Sequence, residues 1–107
     1  MKIITICGSL KYIQEMLEIA ERIELQGNCV LAPIYPAPRR SSKEDYTEEE
    51  HRMLDTMHKE KIKLSDAILV VNVNHYIGSS TKSEIAFAKS LGKEIIYYTD
   101  LMKHAEI

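Results

Sequence analysis

The stretch Ser65–Tyr98, SDAILVVNVNHYIGSSTKSEIAFAKSLGKEIIYY, decides the fold. Its first part, Ala67–Val73, is apolar and β-branched apart from Asn72, as a strand covered on both faces must be. Asn74–Ser79 gathers Asn, His, Tyr, Gly and Ser and reads as a loop. Ser80 or Thr81 then caps a helix in which Ile85, Ala88 and Leu91 recur at helical spacing. Gly92 stops that helix, and Glu94–Tyr98 reads as the next strand. Strand, helix and strand in this order make a βαβ unit with a right-handed crossover. The loop therefore lies at the carboxyl end of a parallel strand, where open α/β sheets bind ligands.

Working outward, Lys2–Cys7 is a buried strand on the same grounds. Gly8 permits a tight turn and Ser9 caps the next helix. In that helix Ile13, Leu17, Ala20 and Ile23 form an apolar stripe, with Lys11, Glu15, Glu18 and Arg22 mostly off it. It ends near Gln26-Gly27, and Cys29–Ala32 is a short second strand. Pro33–Asp45, PIYPAPRRSSKED, breaks the pattern with three prolines and reads as a long loop of the kind that forms lids or binding loops. Thr47-Glu48-Glu49-Glu50 is a capping box with acids at the positive end of a helix dipole. The helix it opens runs to about Leu64, with Met53, Leu54, Met57, Lys61 and Leu64 along one side. Met53 and Met57 read as core or as dimer interface. Thr99–Ile107 is a short tail with room for one more helical turn.

The order β-α-β-α-β-α-β defines an α/β chain. The expected architecture is three-layer and flavodoxin-like, or Rossmann-like. A four-stranded parallel sheet of order 2-1-3-4 carries helices on both faces. At 107 residues it is a single domain spanning residues 1–107. Hydrophobic residues at 45% and charged ones at 28% are ordinary globular values. A net charge of −2 gives no electrostatic case for nucleic acid or an anionic membrane. No apolar run approaches the roughly 18 residues of a membrane span, and MKIITICGS enters a strand instead of forming a signal peptide. Cys7 and Cys29 fall at opposite ends of neighbouring strands, so no disulfide is expected. They read as small reduced core residues of a cytoplasmic protein.

The topology brings two loops, Gly8-Ser9-Leu10 and Asn74–Thr81, over one crevice at the switch point between strands 1 and 3. Two helix N-termini facing one cleft favour an anionic small molecule, with Ser9, Ser79, Ser80 and Thr81 beside free amides. The same serines also suffice as plain caps. There is no G-x-G-x-x-G after strand 1 and no phosphate-binding G-x-x-x-x-G-K-[ST], which makes dinucleotide oxidoreductases and P-loop enzymes poor candidates. No cofactor is implied. His51, His58, His75 and His104 lack zinc-ligand spacing, so no metal site is read from them. Arg39-Arg40 either contacts a phosphate or is a solvated pair. Tyr35 and Tyr76 either stack on a base or pack at the domain edge.

Three pieces taken together, ICGSL, SDAILVVN and GSSTKSEIAFAKSLGKEIIYY, resemble the nucleoside 2-deoxyribosyltransferase superfamily, which includes deoxynucleoside-monophosphate N-glycosidases. The likeness is to its short, mostly uncharacterised bacterial and phage members. In that family a glutamate sits in the first turn of the last long helix, followed by Gly-Lys and a strand, and Glu84 matches it. The resemblance implies a carboxylate nucleophile that displaces a nucleobase and forms a glycosyl ester. Glu84 is the implied nucleophile, and Asp55, His58 and Tyr76 in this chain are candidates for positioning or protonating groups. Cys7, Gly8, Ser9, Tyr35, Tyr76, Gly78, Ser79 and Ser80 would hold the ligand.

The chain departs from the pattern at two points. Gly78 stands six positions before the nucleophile, where many members carry an acid or a serine. His58 stands eight residues before Asp66, where the family places an aspartate, although Asp55 lies one turn earlier. Thr81-Lys82-Ser83-Glu84 also has the spacing of a capping box, which would turn Glu84 back on its own helix. The alternatives are thus an N-glycosidase or transferase, a non-catalytic module sensing a nucleotide-derived ligand, or an interaction protein with an idle crevice. The small size and the family's shared active sites imply a homodimer or larger homo-oligomer.

Overall fold

The four apolar runs become four parallel strands. In the computed structural model, which describes residues 1–40 and 43–105, the order is β1 (Ile3–Cys7), α1 (Ile13–Leu25), β2 (Cys29–Leu31), α2 (Glu48–Leu64), β3 (Ala67–Val70), α3 (Ser79–Ser90), β4 (Glu94–Tyr97) and α4 (Tyr98–Ala105). The sheet order is β2-β1-β3-β4 with every pairing parallel. This is the α/β three-layer, flavodoxin-like arrangement expected from the sequence. Among the described residues no helix is long and apolar enough to cross a membrane.

Strand residues alternate between two cores. Ile4, Ile6, Ala67, Leu69 and Val71 meet Met16, Ile19 and Ile23 of α1 on one face, with Leu101 and Met102 of α4 packed against them. Cys7, Ile68 and Val70 meet Ile62 of α2 and Ile85 and Ala88 of α3 on the other. Thr5 breaks the apolar run of β1 at a fully buried position. Its hydroxyl donates to the Lys61 carbonyl at 3.1 Å and bonds Ser65, so the polar group is satisfied at the end of α2. Asp66 ties the starts of two strands together by accepting from the Ile3 amide at 2.8 Å.

Three helices turn differently from the sequence expectation. Ser9 caps a 3-10 turn at Leu10–Tyr12, and α1 begins only at Ile13 with no side-chain cap. Its buried stripe is Met16, Ile19 and Ile23, and Leu17 is 51% exposed. In α2 the capping box forms, with the Glu50 amide donating to Thr47 Oγ1 at 3.1 Å and the Thr47 amide donating to Glu50 Oε1 at 2.9 Å. Its buried positions, however, are His58 and Ile62, while Met53, Met57 and Leu64 are exposed. Of the two readings of Met53 and Met57, burial in the core is thereby overturned, because the inward face of α2 carries polar groups of the site described below. In α3 the N-cap is Gly78, without a side-chain cap bond, in place of Ser80 or Thr81. Leu91 lies past its end and is exposed.

Smaller differences follow from the ends of the sheet. The strand expected to run to Val73 ends at Val70, and a 3-10 turn follows at Val73–His75 with Asn74 at φ 53°. The buried Asn72 links this turn to α4. Its Nδ2 donates to Thr99 Oγ1 at 3.1 Å, and the Thr99 amide donates back to Oδ1 at 3.1 Å. That anchor accompanies a tail helix of 8 residues where one turn was expected. Both cysteines are free; Cys7 is buried as expected, whereas Cys29 sits exposed at the start of edge strand β2. Ser41 and Ser42 of the proline-rich stretch, the last two tail residues and the His104 side chain lie outside the described residues.

Candidate active site

β1 and β3 end side by side, and the chain leaves them in two loops that share a cavity of about 680 Å³. Gly8, Ser9 and Leu10 form one wall and Tyr76 with Gly78–Thr81 another, so the expected convergence over the switch point is present. A Cβ on Gly8 would lie 3.3 Å from both the Cβ and the carbonyl oxygen of Val71. Glycine is what lets this loop lie so close to the end of β3. The remaining walls are the inner face of α2 and the start of the proline-rich loop, including Pro33, Ile34 and Pro36. That loop is rooted by Lys61, whose Nζ donates to the Ala32 carbonyl at 2.7 Å. Further along, Arg40 pairs with Glu50 at 3.2 Å and lies 4.6 Å over the Tyr46 ring. Arg40 is thereby engaged within the protein.

Glu84 lies in the cavity wall and is only 9% exposed. Because α3 starts at Ser79, Glu84 is its sixth residue. A capping box needs the third helical position, which is Thr81, so Glu84 is out of register for that role. It also stands in the second turn, beyond the reach in which a helix dipole chiefly acts. Instead its neighbours are His58 from α2 and Cys7 from β1. His58 Nε2 is 3.6 Å from Glu84 Oε1 and 3.5 Å from Cys7 Sγ. Burial first, and the nearby Lys61 ammonium second, lower the imidazole pKa from 6.5 to about 4, against the opposing pull of Asp55. At neutral pH the His58 ring is therefore neutral, and its approach to Glu84 is not an ion pair. Burial, and then the Glu84 charge, push the Cys7 thiol well above its ordinary value, so the sulfur keeps its proton. Among the described residues, His58 Nδ1 is buried with no hydrogen-bond partner.

The structure brings most of the sequence-derived candidates to this cavity. Glu84, His58, Asp55, Gly8, Ser9, Tyr76, Gly78, Ser79 and Ser80 line it. Asp55 is paired with Lys59, one turn on, at 3.2 Å. Cys7 lies behind the wall with no exposed surface, touching His58. Tyr35 does not line the cavity. It packs against the core beneath α1, and burial raises its phenol pKa. The expectation of two helix N-termini facing the cleft reduces to one. The first turn of α3 opens into the cavity, whereas α1 is held away by the 3-10 turn after Ser9. Sequence reasoning missed His51, Arg52, Tyr46 and Lys61, which also line it. His51, Asp55, His58 and Lys61 recur at helical spacing, which was the available signal.

Fold and site together define a doubly wound α/β protein with a carboxylate-bearing cavity at its switch point. No protein-family model matches the chain, and no curated protein matches it significantly.

Proposed function

We propose that this protein is an N-glycosidase or 2-deoxyribosyltransferase acting on a nucleoside or nucleoside monophosphate, as its resemblance to the nucleoside 2-deoxyribosyltransferase superfamily implies. The observation that carries the reading is Glu84, a carboxylate in the wall of a cavity large enough for a nucleotide. One Glu84 oxygen attacks C1′ of the sugar. The C–N glycosidic bond breaks and its electron pair leaves with the base, which takes a proton from water. Water or a second base then opens the glycosyl ester and returns the carboxylate. Amides in the first turn of α3, with the hydroxyls of Ser9, Ser79 and Ser80, suit the 5′-phosphate or 5′-hydroxyl. Tyr76, 43% exposed at the rim, suits the base. Neutral His58 positions the carboxylate and is too weakly basic to act as an imidazolium acid at pH 7.

The open side of the cavity bears the exposed apolar residues Ile34 and Met57, with Met53 nearby on α2. A second copy of the chain covers this rim in our reading. The two free thiols fit a reducing, cytoplasmic setting.

The test is base release from a panel of deoxynucleosides and their monophosphates, followed by chromatography. We expect release by the wild-type protein and loss of at least a thousandfold in Glu84→Ala. The neutral His58 in the family's aspartate position favours a second reading, a non-catalytic nucleotide-binding module. Saturable nucleotide binding with no released base in the wild type would establish that reading and end the first.

A further inference from the structure

Cys7, His58 and Glu84 come from three different elements, yet their donor atoms lie within 4.8 Å of one another. We propose that they form a binding site for a single Zn²⁺ ion. Two edges of the cluster already have the dimensions of tetrahedral zinc. Zn–S and Zn–N bonds of about 2.3 and 2.0 Å place sulfur and nitrogen about 3.5 Å apart, and nitrogen and carboxylate oxygen about 3.3 Å apart. The observed separations are 3.5 Å and 3.6 Å. The third edge, between the Cys7 sulfur and a Glu84 oxygen, is no longer than 4.8 Å, against about 3.5 Å in tetrahedral zinc. A thiolate and a carboxylate together balance the two charges of the cation, and a thiolate with an imidazole is the donor pair that zinc prefers to magnesium or calcium. On binding, the Cys7 S–H bond breaks, a Zn–S bond forms and the proton passes to solvent. His58 coordinates through the Nε2 lone pair with its proton on Nδ1.

The surroundings set the character of the site. His58 and Glu84 face the cavity, so the ion has an entry path and a fourth position for water. Nδ1 has no partner among the described residues, so the outer hydrogen bond that stiffens a zinc-bound histidine is missing. Zinc here is accordingly held less tightly than in a structural site, and it exchanges. The consequence for the cavity rests on the reading of Glu84 as nucleophile. Coordination engages that carboxylate, so zinc is a reversible inhibitor of base release.

The experiment uses the full chain, reduced and stripped with a chelator, and Zn²⁺ alone, titrated in competition with a chromophoric zinc indicator. One equivalent per chain is expected, weakened at least tenfold in Cys7→Ser and unchanged in Cys29→Ser. No stoichiometric binding, or dependence on Cys29 in place of Cys7, overturns the site. Should Cys7→Ser not fold, Co²⁺ added to Cys29→Ser decides, because Cys7 is then the sole thiol. A thiolate-to-cobalt charge-transfer band with strong tetrahedral ligand-field bands supports the site, and their absence overturns it. Base release is measured alongside. Suppression by zinc with recovery on chelation supports inhibition through Glu84. Full activity in zinc-saturated protein leaves the site standing and removes Glu84 as nucleophile.

Discussion

At His58 two influences act in the same direction. Burial and the Lys61 ammonium keep the ring neutral down to about pH 4, whereas in the unfolded chain it takes up a proton near pH 6.5. Between these values the unfolded state binds more protons than the native state, so stability falls as pH falls. The contribution is flat above about pH 6.5 and amounts to a loss of about 3 kcal/mol by pH 4. Urea unfolding should therefore show a steeper decline from pH 7 to pH 4.5 in the wild type than in His58→Gln. Equal slopes would mean that another group sets the acid sensitivity. Cys7 and Glu84 face the same ring. At this scale the sequence was informative about Glu84 and much less so about its setting. Nothing along the chain says that Cys7 and His58, 51 residues apart, touch. That contact depends on which way α2 is turned.

The facing of α2 is the element-scale lesson. Met53, Met57 and Leu64 look like a core stripe because apolar residues at helical spacing are normally buried. The helix instead buries Ile62 with His58, because it lies on β1 and α3, whose facing residues include Cys7 and Glu84. Strand identity was legible because β1 and β3 are covered on both faces and read as near-continuous apolar runs. Helix rotation was not, because surface apolar residues mimic a core face. The distinction is measurable two residues apart. Ile62→Ala should cost about 2–5 kcal/mol in chemical unfolding, since it empties a fully buried site. Leu64→Ala, on a residue 70% exposed, should stay within about 0.5 kcal/mol. Comparable losses would return α2 to the facing read from the sequence.

The whole molecule followed from topology more securely than from any motif. Four strands with a helix between each pair leave few sheet orders, and the 2-1-3-4 order places one crevice. At the open rim, where the sequence offered Met53 and Met57 as core or as dimer interface, the structure leaves both side chains exposed. Ile34, Met53 and Met57 are 64%, 58% and 47% exposed. A small domain gains disproportionately by covering such a patch with a second copy. Light scattering should give the mass of a dimer or larger assembly, and Met53→Glu with Met57→Glu together should shift it to that of one chain. A wild-type protein that is monomeric at high concentration would show that the rim meets solvent or some other partner.

One ammonium has two tasks. Lys61 holds the root of the proline-rich segment through the Ala32 carbonyl and also disfavours a charged His58. Removing that ammonium, as in Lys61→Met, would take away the anchor of the segment and one of the two influences that keep the ring neutral in a single change.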